Sequence, residues 1–237
     1  MSLLNKVLDF FFPEFCEVCN HHLKPQEVFV CRRCLNTLPF LKLYCQRCGS
    51  LVSESLLEKG IDRIEYCSYC SQKNFYFDRV FALFQYKEPV SEWLVRIKFA
   101  QDFRLAFALG KLIRGFFSFL LSDVDMIIPV PLSNERLRER GFNQSALLAW
   151  GFLGRKPFSE AIFRVKCTKP QTELTGKERW ENVKGAFLAK DWIKEKKVLL
   201  IDDVMTTGAT VNEAAKALKM KGAKEVYVLV VARNQLL

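Results

Sequence analysis

A chain of 237 residues, half of them hydrophobic, is long enough for one large domain with a smaller one beside it, and that composition excludes wholesale disorder. The formal charge is +10, and residues 1–75 hold nine Lys and Arg against eight Asp and Glu, so nearly all of the excess lies in 76–237. Such a balance favours polyanions, whether phosphorylated small molecules, nucleic acid or an acidic membrane surface, and no stretch approaches the roughly 20 apolar residues that span a bilayer.

The first fifteen residues are apolar around Phe10, Phe11 and Phe12, but Lys6, Asp9 and Pro13 interrupt them and no small-residue cleavage site follows. They read as an amphipathic helix, not a signal peptide. Lack of an export signal points to the cytoplasm, where thiols stay reduced and closely spaced cysteines hold metal more often than they form disulfides.

Eight of the nine cysteines form four C-x2-C pairs: Cys16 with Cys19, Cys31 with Cys34, Cys45 with Cys48 and Cys67 with Cys70. A tight turn at that spacing aims two thiolates at one ion, so two pairs make a closed all-thiolate zinc site of the structural kind. The second set, C-x2-C-x18-C-x2-C, has a common zinc-ribbon spacer, and the first has only eleven residues between pairs. Sequential pairing gives two ribbons and two zinc ions; interleaved pairing, Cys16 and Cys19 with Cys45 and Cys48, satisfies the spacing too. Gly49 suits the left-handed residue that closes a knuckle. A module this small gains most of its folding energy from metal. The two histidines, His21 and His22, read as surface turn residues, and Cys167 as a partly buried thiol near a loop.

Residues 71–76 read as a linker between residues 1–75 and a second domain, 76–237. Residues 77–86 then read as a strand, 89–100 as a helix with Trp93, Leu94 and Ile97 on one side, and 103–121 as an apolar core helix. The buried strand 126–130 ends in Pro129, Val130, Pro131 and Leu132, and two prolines at a strand end force a turn. Residues 133–145 then read as a basic turn entering a helix to about Gly151, and Arg136, Arg138 and Arg140 beside a strand end can grip a diphosphate through forked N–H pairs. Between strands at 161–165 and 185–188, residues 167–184 read as a polar, lid-like loop carrying Lys169 and Arg179. Both basic segments are also what an ordinary solvated face looks like.

The run 198–201 is short, branched and apolar, as in a parallel strand covered on both faces. Asp202 and Asp203 sit at its carboxyl end, where open α/β sheets bind ligands and the next helix offers unpaired N–H groups to an anion. Thr206, Thr207, Gly208, Ala209 and Thr210 can wrap a phosphate before a helix at 209–221. The acids cannot hold that phosphate and better suit sugar hydroxyls or a cation. Helix capping alone would use one of these side chains, not several. Residues 226–232 read as another buried strand.

The acid pair and hydroxyl turn resemble the 5-phosphoribosyl 1-diphosphate (PRPP) signature of type I phosphoribosyltransferases, in which paired acids bind the ribose hydroxyls and the turn holds the 5′-phosphate. Together with the four cysteine pairs, residues 125–132, 136–144, 168–172 and 179–187 extend this likeness over nearly the whole chain, which resembles the ComF/GntX family. The resemblance implies an α/β fold: a parallel-sheet phosphoribosyltransferase-like domain preceded by a double zinc ribbon. It also implies PRPP with Mg²⁺ as ligand and a part in natural transformation, with single-stranded DNA and other DNA-uptake proteins as partners. Thr206 stands where some purine-salvage relatives place a third acid, so purine transfer is not implied.

Three functions follow. The chain is a PRPP-binding protein that handles single-stranded DNA, an active phosphoribosyltransferase on an unidentified acceptor, or a zinc-held docking module with the second domain as scaffold. Tyr44, Tyr66, Tyr69 and Tyr76 near the cysteines are candidate stacking residues.

Overall fold

The computed structural model describes residues 15–53, 55–61, 63–157, 160–166 and 175–234. The expected N-terminal helix, Cys167 and Lys169 lie outside them.

Four parallel strands form the central sheet: β1 (Arg79–Gln85), β2 (Met126–Pro129), β5 (Lys197–Met205) and β6 (Glu225–Arg233), in spatial order β1-β6-β5-β2. A separate antiparallel pair joins β3 (Ile162–Arg164) to β4 (Phe187–Ala189). Side chains alternate along β5, so the strand serves two cores. Leu199 and Ile201 face one, with α1 (Val90–Phe99), α2 (Phe103–Phe117) and α5 (Gln144–Leu153). Val198 and Leu200 face the other, with α7 (Ala209–Met220). Helix α1 buries Val90, Trp93, Leu94 and Ile97, the i, i+3, i+4, i+7 stripe of an amphipathic helix. Helices α2 and α5 cross backbone to backbone, because a Cβ at Gly110 would lie 2.2 Å from Leu148 O and one at Gly151 2.1 Å from Phe107 O.

Several elements depart from the sequence expectation for local reasons. The long helix stops at Phe117, and a short α3 (Leu120–Asp123) follows it. The basic turn is itself a helix, α4 (Asn134–Arg140), with Ser133 accepting from Arg136 N at its start and left-handed Gly141 closing it. The second half of the lid-like segment is also helical, α6 (Gly176–Val183), opened by a capping box between Thr175 and Glu178. Strand β5 runs four residues past Ile201 because β6 keeps pairing with it, Asp202 opposite Val230 and Met205 opposite Arg233. The acids therefore stand inside the strand's last turn of pairing, where β2 has already ended at Pro129.

The cysteine-rich segment docks on both cores. Cys16, Phe29, Cys31 and Cys34 join the α1/α2 side, and Phe29 meets Trp93 edge-on at 5.1 Å. Cys45, Cys48, Cys70 and Phe75 join the α7 side. Backbone bonds stitch this segment to β1: Leu41 N to Leu83 O at 2.9 Å and Val80 N to Gln46 O at 2.8 Å. No helix among the described residues is long and apolar enough to cross a membrane.

Candidate functional site

The sulfurs of Cys16, Cys19, Cys31 and Cys34 lie within 4.8 Å of one another, and so do those of Cys45, Cys48, Cys67 and Cys70. The pairing is sequential, and the interleaved alternative falls. Sulfur–sulfur distances of 3.8 Å (Cys19–Cys31), 3.6 Å (Cys45–Cys70) and 3.5 Å (Cys48–Cys67) rule out bonded sulfur. They match the edge of a tetrahedron with metal–sulfur bonds of about 2.3 Å, which is about 3.8 Å. All eight are free thiols, with no open position for a substrate, so each tetrad suits a structural zinc ion. Gly49, after Cys48, has φ +72°, the left-handed closure expected of a knuckle. Phe15 packs edge-on against His22, which bonds Leu23 O through Nδ1, and neither histidine joins a tetrad.

At the carboxyl end of β5, Asp202 and Asp203 are both buried. Asp203 follows Leu199 and Ile201 onto the α1 face, where Lys98 Nζ lies 2.5 Å from its Oδ2, an ion pair outside hydrogen-bond geometry. Asp202 Oδ1 accepts from Ser145 Oγ at 2.8 Å and from Asp203 N at 3.0 Å. Ser145 is placed by the close α2–α5 crossing and by Asn143, whose Oδ1 caps α5 on Ser145 N. Burial, and then the neighbouring Asp203, raise the Asp202 carboxyl to about 7 from an ordinary 3.8. The Ser145 O–H and Asp203 N–H bonds and the Lys98 charge offset only part of that burial.

The proline turn borders the acids directly. Val130 N donates to Ile201 O at 2.9 Å, so Pro129, Val130 and Pro131 run beside Asp202, and Asn143 Nδ2 holds Val130 O at 3.0 Å. Arg140, half-buried, bonds Gln144 Oε1 at 3.1 Å, and Asp203 and Asp202 both act on its charge. Its guanidinium lies 5.8 Å from the ring centre of Phe99, which is 72% exposed. Arg136 Nη2 is buried without a hydrogen-bond partner among the described residues. Arg138, one of the expected grips, points to solvent from the same helix. Arg179 sits on α6, which packs against α7.

The hydroxyl turn leads from β5 into α7. Gly208 has φ +82°, and a Cβ there would meet Met205 Cε at 2.6 Å, so this bend requires glycine. Thr207 is buried and its Oγ1 accepts from Ala209 N at 3.3 Å. Thr206 and Thr210 are half-buried, and Gly208 and Ala209 are buried. Thr206 through Thr210 thus form one bend at the mouth between β5 and α7, at the same sheet edge as the acids.

Sequence reading missed Lys98, Asn143, Ser145 and Arg233, which reach this edge from other elements. For Arg233 a signal existed: it ends a parallel strand of the same length as the one bearing the acids, and parallel neighbours end together.

Fold and site define a phosphoribosyltransferase-type α/β domain with a double zinc ribbon in front of it. Two family models match accordingly, the double zinc ribbon domain over residues 7–71 and the phosphoribosyl transferase domain over residues 164–235. The chain is 30% identical to "Competence protein F" of Haemophilus influenzae, over 94% of this chain and 98% of that one. It is 31% identical to "DNA utilization protein YhgH" of Escherichia coli over the same shares. "Competence protein ComFC" of Streptococcus pneumoniae is 33% identical over 64% of this chain and 67% of its own. The chain belongs to the ComF family.

Proposed function

We propose that this chain binds PRPP or a related ribose phosphate with Mg²⁺ at the carboxyl end of β5 and acts in DNA uptake, handling incoming single-stranded DNA. The observation that carries the ligand is the juxtaposition of two buried carboxylates, with Asp203 Oδ2 lacking a hydrogen-bond partner among the described residues, and a bend that demands glycine at the start of α7. Asp202 and Asp203 accept the ribose hydroxyls, with Mg²⁺ bridging ribose and diphosphate. Thr206, Thr207, Gly208, Ala209 and Thr210 take the 5′-phosphate on N–H groups and hydroxyls. The diphosphate lies along Pro129, Val130 and Pro131, within reach of Arg140 and of the unpartnered Arg136 Nη2, with Lys169 and Arg179 as its further ligands. Two of the relatives are named for competence and one for DNA utilization, which supports the DNA role.

For the strand itself, Phe99 beneath the Arg140 guanidinium offers an exposed stacking surface at the mouth of this site. Tyr66 and Tyr76 are exposed too, whereas Tyr44 is largely enclosed and Tyr69 carries Lys73 over its ring at 4.8 Å. An active transferase is the second reading, favoured by the arginines where diphosphate would leave.

Calorimetry with PRPP and Mg²⁺ tests the ligand, and absence of heat overturns it. Isotope-labelled PRPP with candidate acceptors separates the readings, because diphosphate release marks an enzyme and tight binding without release marks a binding protein. An oligonucleotide titration at rising salt tests the DNA role, which predicts an affinity that falls with salt and falls again in Phe99→Ala.

A further inference from the structure

One buried charge has no part in the chemistry above. Arg233, at the carboxyl end of β6, is 1% exposed and reaches across three segments. Its Nε donates to Gly49 O at 2.9 Å, the residue after the zinc-ligand position Cys48. Its Nη1 donates to Met205 O at 2.7 Å, to Thr206 O, and to Asn234 O at 3.1 Å. Its Nη2 is buried with no hydrogen-bond partner among the described residues.

These bonds set the direction of the hydroxyl turn. In a trans peptide the C=O and the next N–H point opposite ways. Carbonyls of Met205 and Thr206 turned toward Arg233 therefore turn the N–H groups of Thr206 and Thr207 away from it. Asn234 N also donates to Met205 O at 3.0 Å, so losing the guanidinium frees the Thr206–Thr207 plane.

The guanidinium in turn needs a counter-charge, since an ion taken out of water costs several kcal/mol unless compensated. Its Nε is bonded to the knuckle of the second tetrad: Gly49, whose O it holds, follows Cys48 and donates its own N–H to Cys45 O at 2.7 Å. Four thiolates on one zinc ion carry a net charge of about −2. The second tetrad, when loaded, would place that charge one residue from the carbonyl that this buried arginine holds.

We propose that Arg233 is a positioning residue that couples the second zinc site to the phosphate turn: the knuckle of the loaded tetrad holds the guanidinium through Gly49 O, and the guanidinium holds the Thr206–Thr207 peptide plane that receives the phosphate. This rests on the ribose-phosphate reading of the turn. Among the described residues no buried arginine joins the first tetrad to the phosphate turn, so the two metal sites respond differently to ligand.

The test uses the full chain with cadmium-113 exchanged into both tetrads, its two resonances assigned by Cys19→Ser, and PRPP with Mg²⁺ as probe. On binding, the second tetrad's resonance shifts and the first stays. In Arg233→Lys, whose single ammonium cannot serve the four carbonyls that the planar fork serves, affinity falls at least tenfold and the shift disappears. A PRPP complex that moves neither resonance, or both equally, overturns the coupling while leaving the ligand site standing. Wild-type protein that does not bind PRPP removes the ligand reading and the coupling with it. The wild-type resonances decide the matter even if the lysine variant does not fold.

Discussion

Arginines help to join each cysteine tetrad to the sheet domain, and two of these joints differ in kind. Arg96 connects Glu17 of the first ribbon to Asp102, both at 2.6 Å, and its side chain is 43% exposed. Arg233 connects the second ribbon to the phosphate turn through main-chain carbonyls and is 1% exposed. The first joint is a surface bridge whose partners water can replace. The second is a desolvated cation whose partners include the residues proposed to bind ligand. Repeated metal chemistry thus has two consequences in one chain: the first site anchors a module against α1 and α2, and the second shapes the bend between β5 and α7.

The sharpest way to break that contrast is to remove one ligand from each tetrad. Cys34→Ser and Cys48→Ser each lose a zinc ion and several kcal/mol of folding free energy, because metal binding in such modules is folding energy. PRPP affinity separates them: Cys48→Ser loses it more than a hundredfold, and Cys34→Ser stays within about threefold, measured by calorimetry beside metal content per chain. Equal loss in both would show that the ribbons act as one body. The arginines carry the contrast into stability. Arg233→Met costs about 3–5 kcal/mol in urea unfolding, as for breaking a buried charge network, and Arg96→Ala at most about 1 kcal/mol, as for exposed pairs. Similar values would erase the distinction between the joints.

The smallest effect is in pH. Asp202 holds its proton more tightly folded than unfolded, so its contribution to stability is complete below 3.8 and is lost as pH rises to about 7. Ligand binding runs the other way, since ribose hydroxyls and Mg²⁺ want the carboxylate. PRPP affinity therefore rises up to about tenfold per pH unit between pH 5 and 7 and levels off above, with proton release visible as a buffer-dependent heat. A flat profile would mean that Asp202 does not meet the ligand.

Much of this was legible because the acids, the threonines with Gly208 and the cysteine pairs are each contiguous or locally spaced. Their chemistry is written in neighbouring residues. The opposite holds for Lys98, Ser145 and Asn143, common residue types brought to the acids by helix packing that depends on Gly110 and Gly151. The Arg136 to Arg140 segment was misread as a turn because its charges drew attention from its caps: Ser133 before it and Gly141 after it are ordinary helix signals. Strand β5 was drawn too short because its pairing with β6, not its own composition, carries it past two acids to Met205.

The central claim is that the acid pair at the end of β5 receives a ribose phosphate, and Asp202→Asn tests it most directly in the zinc-loaded chain. The amide keeps the shape and removes a buried charge, so the account predicts equal or higher melting temperature together with loss of PRPP–Mg²⁺ heat. Unchanged binding in that variant, with the fold intact, would contradict it.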